Sequence, residues 1–230
     1  MRNLLFLAAP IVATAVALYV YLLSGRYETT DNAYLQRPLI AISSEVSGQI
    51  VSVDVKENQA VAAGQILFHI APMPSRDGTA EQAVRAPQDG VVTKTNQLQV
   101  GSFALAMRPL FMLVGNRSWI EANFKESQLR YMCIGQSAEL SVDALPDLEL
   151  RGRLVSFSPG TGNSFAVLPP ENATGNWVKV VQRLPVQFAI TGGTRKMVLP
   201  AGLSLKVTVK TDRGRNCVQS MGTRSRRIPR

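Results

Sequence analysis

The hydrophobic pattern divides the chain into a long apolar run and a longer stretch of short alternating segments. Residues 4–23 are twenty residues without a charge, and as a helix they would span about 30 Å, the thickness of the hydrocarbon core of a bilayer. The run is longer than the apolar region of a signal peptide, and no convincing cleavage site follows it. We therefore predict an uncleaved transmembrane anchor within residues 1–25, with the N-terminus in the cytoplasm and the bulk of the chain outside.

From residue 39 onward the apolar positions alternate over short segments that Gly, Pro, Asn and Asp interrupt. In "LSLKVTVKT", Leu203, Leu205, Val207 and Val209 share one face, which is the period of a half-buried strand. No long helical period follows the anchor. The pattern predicts a mainly β fold.

Two stretches of this β region resemble each other. Gly48 in residues 45–70 corresponds to Gly90 in residues 87–113, and Leu67-Phe68 corresponds to Leu110-Phe111, with an offset that changes from 42 to 43. Each half is too small to bury a core by itself, so the two should close into one sandwich. This pattern is typical of a biotinyl-lipoyl domain over residues 39–115, with halves 39–70 and 84–115 and a linker 71–83.

The linker argues against an enzymatic alternative, in which the protein would be a lipoyl- or biotin-carrying subunit. Carrier domains present a modifiable lysine between the halves, and residues 71–83 contain none. His69 precedes the linker with no Ser, Cys or carboxylate at motif spacing, so we interpret it as a half-buried strand residue.

Composition and charge further restrict the classes of protein to which the chain can belong. Residues 212–230 hold six of the arginines and one acid, which supplies +5 of the net charge of +9. The body is only mildly basic, which argues against nucleic-acid binding by the folded part, and the tail is expected to be disordered. Cys133 and Cys217 lie in different segments and are interpreted as bystander thiols, the alternative being a disulfide between them. With one histidine, no metal site or cofactor is expected.

Four segments then identify a family. The stretches "YETTDNAYLQ" (27–36), "IEANFKESQL" (120–129), "SVDALPD" (141–147) and "LPPENATGNWVKVVQRLPV" (168–186), together with the anchor and the split lipoyl-like domain, resemble the EmrA branch of the HlyD/EmrA-type membrane fusion proteins. These are periplasmic adaptors of bacterial efflux and secretion systems. The resemblance covers residues 1 to about 211.

The resemblance implies an adaptor without catalytic chemistry in the bacterial inner membrane, with its bulk in the periplasm. Its partner would be an inner-membrane transporter, of the major facilitator type in this branch, and its cargo drugs or other small toxic compounds. It would oligomerise through its β domains. The expected order is a membrane-proximal linker or strand (26–38), the lipoyl-like domain, a β-barrel (116–184), membrane-proximal strands (185–211) and the basic tail (212–230).

The last segment also contains the candidate contact site. Two prolines stiffen its start, and its polar middle has residues that tolerate tight turns. It is either a surface hairpin that fixes the barrel or a contact with a neighbouring protomer or the transporter. The candidate contact residues are Pro169, Pro170, Glu171, Asn172, Thr174, Asn176 and Trp177.

The chain departs from the family between the lipoyl halves. Most members insert a long α-helical hairpin there, whereas this linker has about thirteen residues and cannot form a two-helix arm. We therefore do not expect docking on an outer-membrane channel of the TolC type. In addition, Met107 stands where the first half has Gly64. Two alternatives stay open: a shortened remnant that no longer couples two membranes, and a polyanion binder acting through the arginine tail.

Overall fold

A computed structural model describes residues 27–73, 81–95, 98–160, 181–193 and 199–211, together with Val12 and Thr14, which are helical. These residues divide into two compact units, one of residues 37–118 and one that combines the chain through residue 36 with the chain from residue 119. No helix in the described ranges is long and apolar enough to cross a membrane. The predicted anchor, apart from Val12 and Thr14, lies outside these ranges.

The described elements are almost entirely strands. In chain order they are β1 (Tyr27–Gln36), β2 (Leu39–Ser43), β3 (Gly48–Val53), β4 (Ala60–Val61), β5 (Ile66–Pro72), β6 (Gln82–Arg85), β7 (Gly90–Thr93), β8 (Phe103–Ala104), β9 (Pro109–Gly115), β10 (Trp119–Lys125), β11 (Ser137–Val142), β12 (Leu145–Phe157), β13 (Arg183–Gly192) and β14 (Ser204–Lys210). One six-residue 3-10 helix, Glu126–Tyr131, follows β10. The prediction of a mainly β fold is confirmed.

The unit of residues 37–118 is built from the predicted repeat. One sheet has the order β2-β9-β7-β4 and the other β6-β5-β3-β8, so each strand of one sheet has its sequence equivalent at the same place in the other. Phe68 and Phe111, which the repeat matches, meet in the shared core with ring centroids 6.3 Å apart. The sandwich of two small halves is therefore confirmed.

The turns of the two halves are matched as closely as the strands. Gly64 N–H donates to Ala86 O at 2.8 Å, and Met107 N–H donates to Ser44 O at the same distance. Both donors have left-handed backbone, with φ of 81° at Gly64 and 61° at Met107. The sequence comparison led us to expect a glycine at position 107. Met107 therefore stands where any side chain strains the backbone.

The other unit is a closed barrel with the strand order β1-β10-β13-β12-β11-β14. Its interior is apolar, and Phe124 and Phe188 lie at its centre with ring centroids 6.2 Å apart. Leu205, Val207 and Val209 of β14 point into it as the alternation predicted. The alternation of apolar and polar residues identifies the inward face of a strand, because successive residues point to opposite sides of the sheet.

The barrel is assembled differently from the domain order that the sequence suggested. Residues 26–38 and 185–211 were separated from the barrel, but β1, most of β13 and β14 are three of its six strands. β1 pairs with β14 from Tyr27↔Lys210 to Tyr34↔Ser204. This pairing of the first barrel strand with the last closes the barrel and leaves no free strand edge. Local sequence patterns do not reveal it.

One expectation about the cysteines is wrong. Cys133, just after the 3-10 helix, is disulfide-bonded, so it is not a bystander thiol. The other cysteine of the chain, Cys217, lies outside the described residues.

Candidate functional site

The first two signature segments lie side by side in the barrel wall. β1, which is "YETTDNAYLQ", pairs antiparallel with β10 in a register that runs from Ala33↔Ala122 to Gln36↔Trp119. The second segment continues from β10 into the 3-10 helix. Residues about ninety positions apart in the sequence therefore form one local structure.

A bulge in β1 gives this structure its shape. The pairing of β1 with β14 shifts between Thr30 and Ala33, which turns Asp31 outward, where it is exposed. The buried Thr30 holds the bulge on both sides: its Oγ1 donates to Asn123 O at 2.9 Å and accepts from Asn32 N–H at 3.2 Å. Asn123 Nδ2 also donates to Asn32 Oδ1 at 3.1 Å.

Gln128 of the 3-10 helix ties that helix to β1. Its Nε2 donates to Glu28 Oε2 at 3.0 Å and to Thr29 O at 3.1 Å, while its Oε1 accepts from Lys125 N–H at 3.0 Å. One amide thus satisfies three backbone or side-chain partners. The short helix is held against the start of β1.

We call this end of the unit the barrel base, marked by the pairs Tyr27↔Lys210 and Lys125↔Arg183. Among the surface cavities at this end, two border the 3-10 helix or the residue before it. One of about 470 Å³ is lined by Thr29, Thr30, Asp31, Lys125, Gln128, Arg183 and Lys206. The other, of about 460 Å³, is lined by Glu126, Ser127, Arg130 and Val181. The first is mainly polar and the second mainly apolar, and both are open and lined by residues of opposite charge, which suits recognition of a protein surface better than enclosure of a small molecule.

The candidate contact residues Pro169 to Trp177 lie outside the described residues, but the two stems of their segment are at the barrel base. β12 ends at Phe157, which pairs with Val186 of β13, and Ser158 N–H donates to Pro185 O at 2.8 Å. Glu126 N–H of the 3-10 helix donates to Gln182 O at 3.0 Å. The ends of the first two signature segments and both stems therefore lie at one end of the barrel, whereas the third segment, in the turn between β11 and β12, lies at the other end.

His69 has partners that the sequence did not reveal. It is a half-buried strand residue as predicted, yet its Nδ1 lies 2.9 Å from Ser52 Oγ and 3.2 Å from Asp54 Oδ2. Motif spacing did not reveal these partners, because it is the pairing of β3 with β5 that places Ser52 opposite His69. Both contacts fall on the same nitrogen, whereas a nucleophilic triad needs serine and carboxylate on opposite ring nitrogens.

The described residues also hold no group of three or more His, Cys, Asp or Glu side chains placed to bind a metal ion. What the barrel base offers is a rigid polar surface. Its components, such as Gln128 and Glu28, are 100 positions apart, so no local sequence signal connects them.

Along the chain, the barrel-sandwich unit lies between strands of the closed barrel. Residues 39–115 match the family model "RND MFP, barrel-sandwich hybrid domain". The fold agrees with solved structures: the periplasmic adaptor protein EmrA, with a TM-score of 0.54 and 14% identity, is matched over 82% of this chain and 99% of its own. MacA from Actinobacillus actinomycetemcomitans has a TM-score of 0.59 at 11% identity, over 80% of this chain and 79% of its own.

The resemblance to the HlyD/EmrA type agrees with the curated relatives to which the sequence is similar. The fatty acid resistance protein FarA of Neisseria gonorrhoeae is 47% identical over 133 residues, which are 56% of this chain and 33% of FarA. The multidrug export protein EmrA of Escherichia coli is 39% identical over 129 residues, or 55% of this chain and 33% of EmrA. The chain spans about a third of the length of these relatives. YhbJ of Bacillus subtilis is 26% identical over 80% of this chain and 81% of its own.

Proposed function

We propose that the protein is the periplasmic adaptor subunit of a bacterial efflux system that exports drugs or other small toxic compounds. It works by binding and positioning and is not an enzyme. The observation that carries the proposal is the barrel-sandwich unit and closed barrel in a chain whose relatives are named for fatty acid resistance and multidrug export.

The barrel base is the surface we assign to the inner-membrane transporter. Residues 4–23 form the anchor of the proposed single-pass topology, and only residues 24–26 separate them from β1 at the base. Three extended residues reach at most about 15 Å. The base therefore faces the membrane, where a transporter of the major facilitator type is the expected partner.

The segment with Pro169, Pro170, Glu171, Asn172, Thr174, Asn176 and Trp177 belongs to the same proposed interface. Its stems emerge at the base beside the 3-10 helix. Trp177 is the natural anchor residue, since tryptophan is enriched among the residues that dominate binding energy.

The test is capture of the transporter from membranes in which the full chain carries charge reversals. Lys125→Glu with Arg183→Glu changes the base, and Lys56→Glu, also exposed but in the other unit, is the matched control. We expect loss of capture and of resistance to exported compounds for the first variant only. Equal capture by both variants would remove the base from the proposal, and no transporter captured by the unsubstituted chain would remove the function.

The connection between the lipoyl halves limits what the adaptor reaches. β5 and β6 pair directly, with Ile70 opposite Gln82, and only residues 73–81 join the two strands. We propose that the protein passes cargo to the periplasm or to a longer-armed partner and does not contact an outer-membrane channel itself.

A further inference from the structure

Cys133 is held in a tight turn at the barrel base. It follows the 3-10 helix, and its N–H donates to Gln136 Oε1 at 2.8 Å. Gln136 Nε2 donates to Tyr131 O at 3.0 Å, and Gln136 N–H closes the turn by donating to Cys133 O at 3.2 Å. Strand β11 begins directly after this turn, at Ser137. The cysteine therefore has a fixed place beside the start of β11.

Strand β14 ends next to this turn. Ala138 of β11 pairs with Val209, so Ser137 and Lys210 lie next to that pair, and Ser137 is four residues from Cys133. Cys217 is seven residues beyond the end of β14 at Lys210. Seven extended residues reach at most about 23 Å. The way back from β14 to Cys133 is shorter, at most about 18 Å, because it comprises four residues and one ~5 Å step between strands.

The disulfide of Cys133 limits the choice of its partner. Cys133 is disulfide-bonded, and the sequence has two cysteines, so the partner offered within the chain is Cys217. Disulfides persist in oxidising compartments such as the periplasm, which agrees with the proposed location. Formation of the bond takes two protons and two electrons from the two thiols, and a protein disulfide of that compartment accepts them.

The sequence that follows Cys217 is basic and has no acids. Residues 218–230 contain Arg224, Arg226, Arg227 and Arg230 and no Asp or Glu. Guanidinium groups form paired hydrogen bonds with phosphate oxygens, and each basic residue near an anionic lipid surface contributes about 1 kcal/mol. This stretch is therefore suited to a surface that presents phosphate groups.

The barrel base around the turn combines apolar and charged side chains. Ile134, Tyr27 and Val181 are 42%, 49% and 55% exposed, and tyrosine is enriched at the boundary between membrane and water. Cations and acids are mixed around them, so the base alone has little preference for an anionic membrane. They include Lys125, Arg130, Arg183, Lys210, Glu28, Asp31 and Glu126.

We propose that a disulfide between Cys133 and Cys217 holds the basic tail at the barrel base, where its last four arginines bind the phosphate groups of anionic phospholipids. The inference rests on the proposed function for one point, namely that the base faces the membrane. Without the disulfide, Arg224 is thirteen residues from Thr211 and reaches at most about 43 Å from it. With the disulfide, it is seven residues from Cys217 and reaches at most about 23 Å from the base.

Peptide mapping tests the disulfide in the full chain, purified from membranes without a reductant. Trypsin cleaves after arginine, so residues 131–151 and 216–224 should appear as one linked species that separates on reduction. Residues 131–151 linked to a second copy of themselves, or either cysteine as a free thiol, would overturn the disulfide. This result does not depend on the transporter.

Photo-activated cross-linking tests the lipid contact. The full chain carries the cross-linking residue at position 228, or at position 56 as the control, in vesicles of phosphatidylcholine and phosphatidylglycerol in equal parts. We expect adducts with phosphatidylglycerol to exceed those with phosphatidylcholine by about tenfold at position 228, and no such preference at position 56. Equal labelling of the two lipids from position 228 would overturn the contact.

Two variants separate the arginines from the disulfide, with position 228 as the reporter in each. Loss of the four arginines should abolish the preference for phosphatidylglycerol. Cys217→Ser should lower the preference about 2.5-fold, because effective concentration falls as about the −3/2 power of tether length, here from seven residues to thirteen. Lys56→Gln, at an exposed position of the other unit, should leave it unchanged. The arginine variant is Arg224→Gln, Arg226→Gln, Arg227→Gln and Arg230→Gln.

Thermal unfolding checks that the variants fold, and capture of the transporter checks the adaptor function independently. An unchanged preference for phosphatidylglycerol in the arginine variant or in Cys217→Ser would overturn the inference. If the arginine variant loses the preference but still captures the transporter, the lipid contact is supported and the adaptor function stands without it. A chain that captures no transporter contradicts the proposed function, whereas the peptide map still decides the disulfide.

Discussion

At the scale of single residues, Thr30 shows how the first signature segment is held in place. It is a buried hydroxyl in a barrel wall, and it bonds to β10 on one side and to its own bulge on the other. The side chain of its neighbour Thr29 is exposed, and its hydroxyl donates to the Thr208 hydroxyl at 3.3 Å. The two threonines differ in burial and in partners, not in chemistry.

Thr30→Val should therefore destabilise the protein by about 1–3 kcal/mol, because it leaves the Asn123 carbonyl and the Asn32 amide, both half-buried, without the Thr30 hydroxyl. Thr29→Val should change stability by less than ~0.5 kcal/mol, as is usual at the surface. Urea unfolding of both variants measures the difference. Equal values for the two would mean that the bulge is not held by Thr30.

Met107 and Gly64 give a second comparison of residues, because they occupy the same turn position. Met107→Gly should raise the free energy of unfolding by about 0.5–1 kcal/mol, since glycine removes the strain of left-handed backbone. Gly64→Ala should lower it by about 1 kcal/mol: no atom lies within 4 Å of the added carbon, so only the backbone opposes it. Thermal unfolding that shows no gain for Met107→Gly would contradict the strain.

At the scale of elements, the connection between β5 and β6 decides what the barrel-sandwich unit can reach. With Ile70 opposite Gln82, an out-and-back path through the linker 71–83 extends at most about 20 Å beyond the sheet. A cross-linker placed between residues 71 and 83 should capture no TolC-type channel, and a long-armed adaptor serves as the positive control. Direct, saturable capture of such a channel through this loop would refute the limit on reach.

The elements also show which parts of the fold the sequence can predict. The inward face of β14 was predictable because Leu205, Val207 and Val209 alternate locally, and the repeat because Gly48 and Gly90 recur with their neighbours. The partners of an element were not: β1 closes the barrel against β14, and Ser52 meets His69, only because distant strands pair. The period of the hydrophobic residues shows which face of a strand is buried, but it does not show which other strand pairs with it.

The same distinction applies to the candidate site: its segments could be recognised in the sequence, but their arrangement in space could not. The signature segments were recognisable from their residues, but the meeting of the first two at the barrel base depends on the β1–β10 register and on Gln128, which donates a hydrogen bond to Glu28. Membership of β1, β13 and β14 in one barrel also depends on such pairing. No window of sequence contains that information.

At the scale of the whole molecule, we propose that the barrel presents its base, with the 3-10 helix and the stems of the proposed contact segment, to the transporter. This contact is central to the proposed function, because without a transporter partner the protein is not an adaptor.

The most direct measurement places a photo-activated cross-linking residue at position 125 of the full chain in living cells, and at position 56 as the control. Both side chains are exposed lysines in the native protein. The account predicts an adduct of position 125 with an inner-membrane transporter, and none from position 56. The same adduct from both positions, or no transporter adduct from position 125, would contradict it.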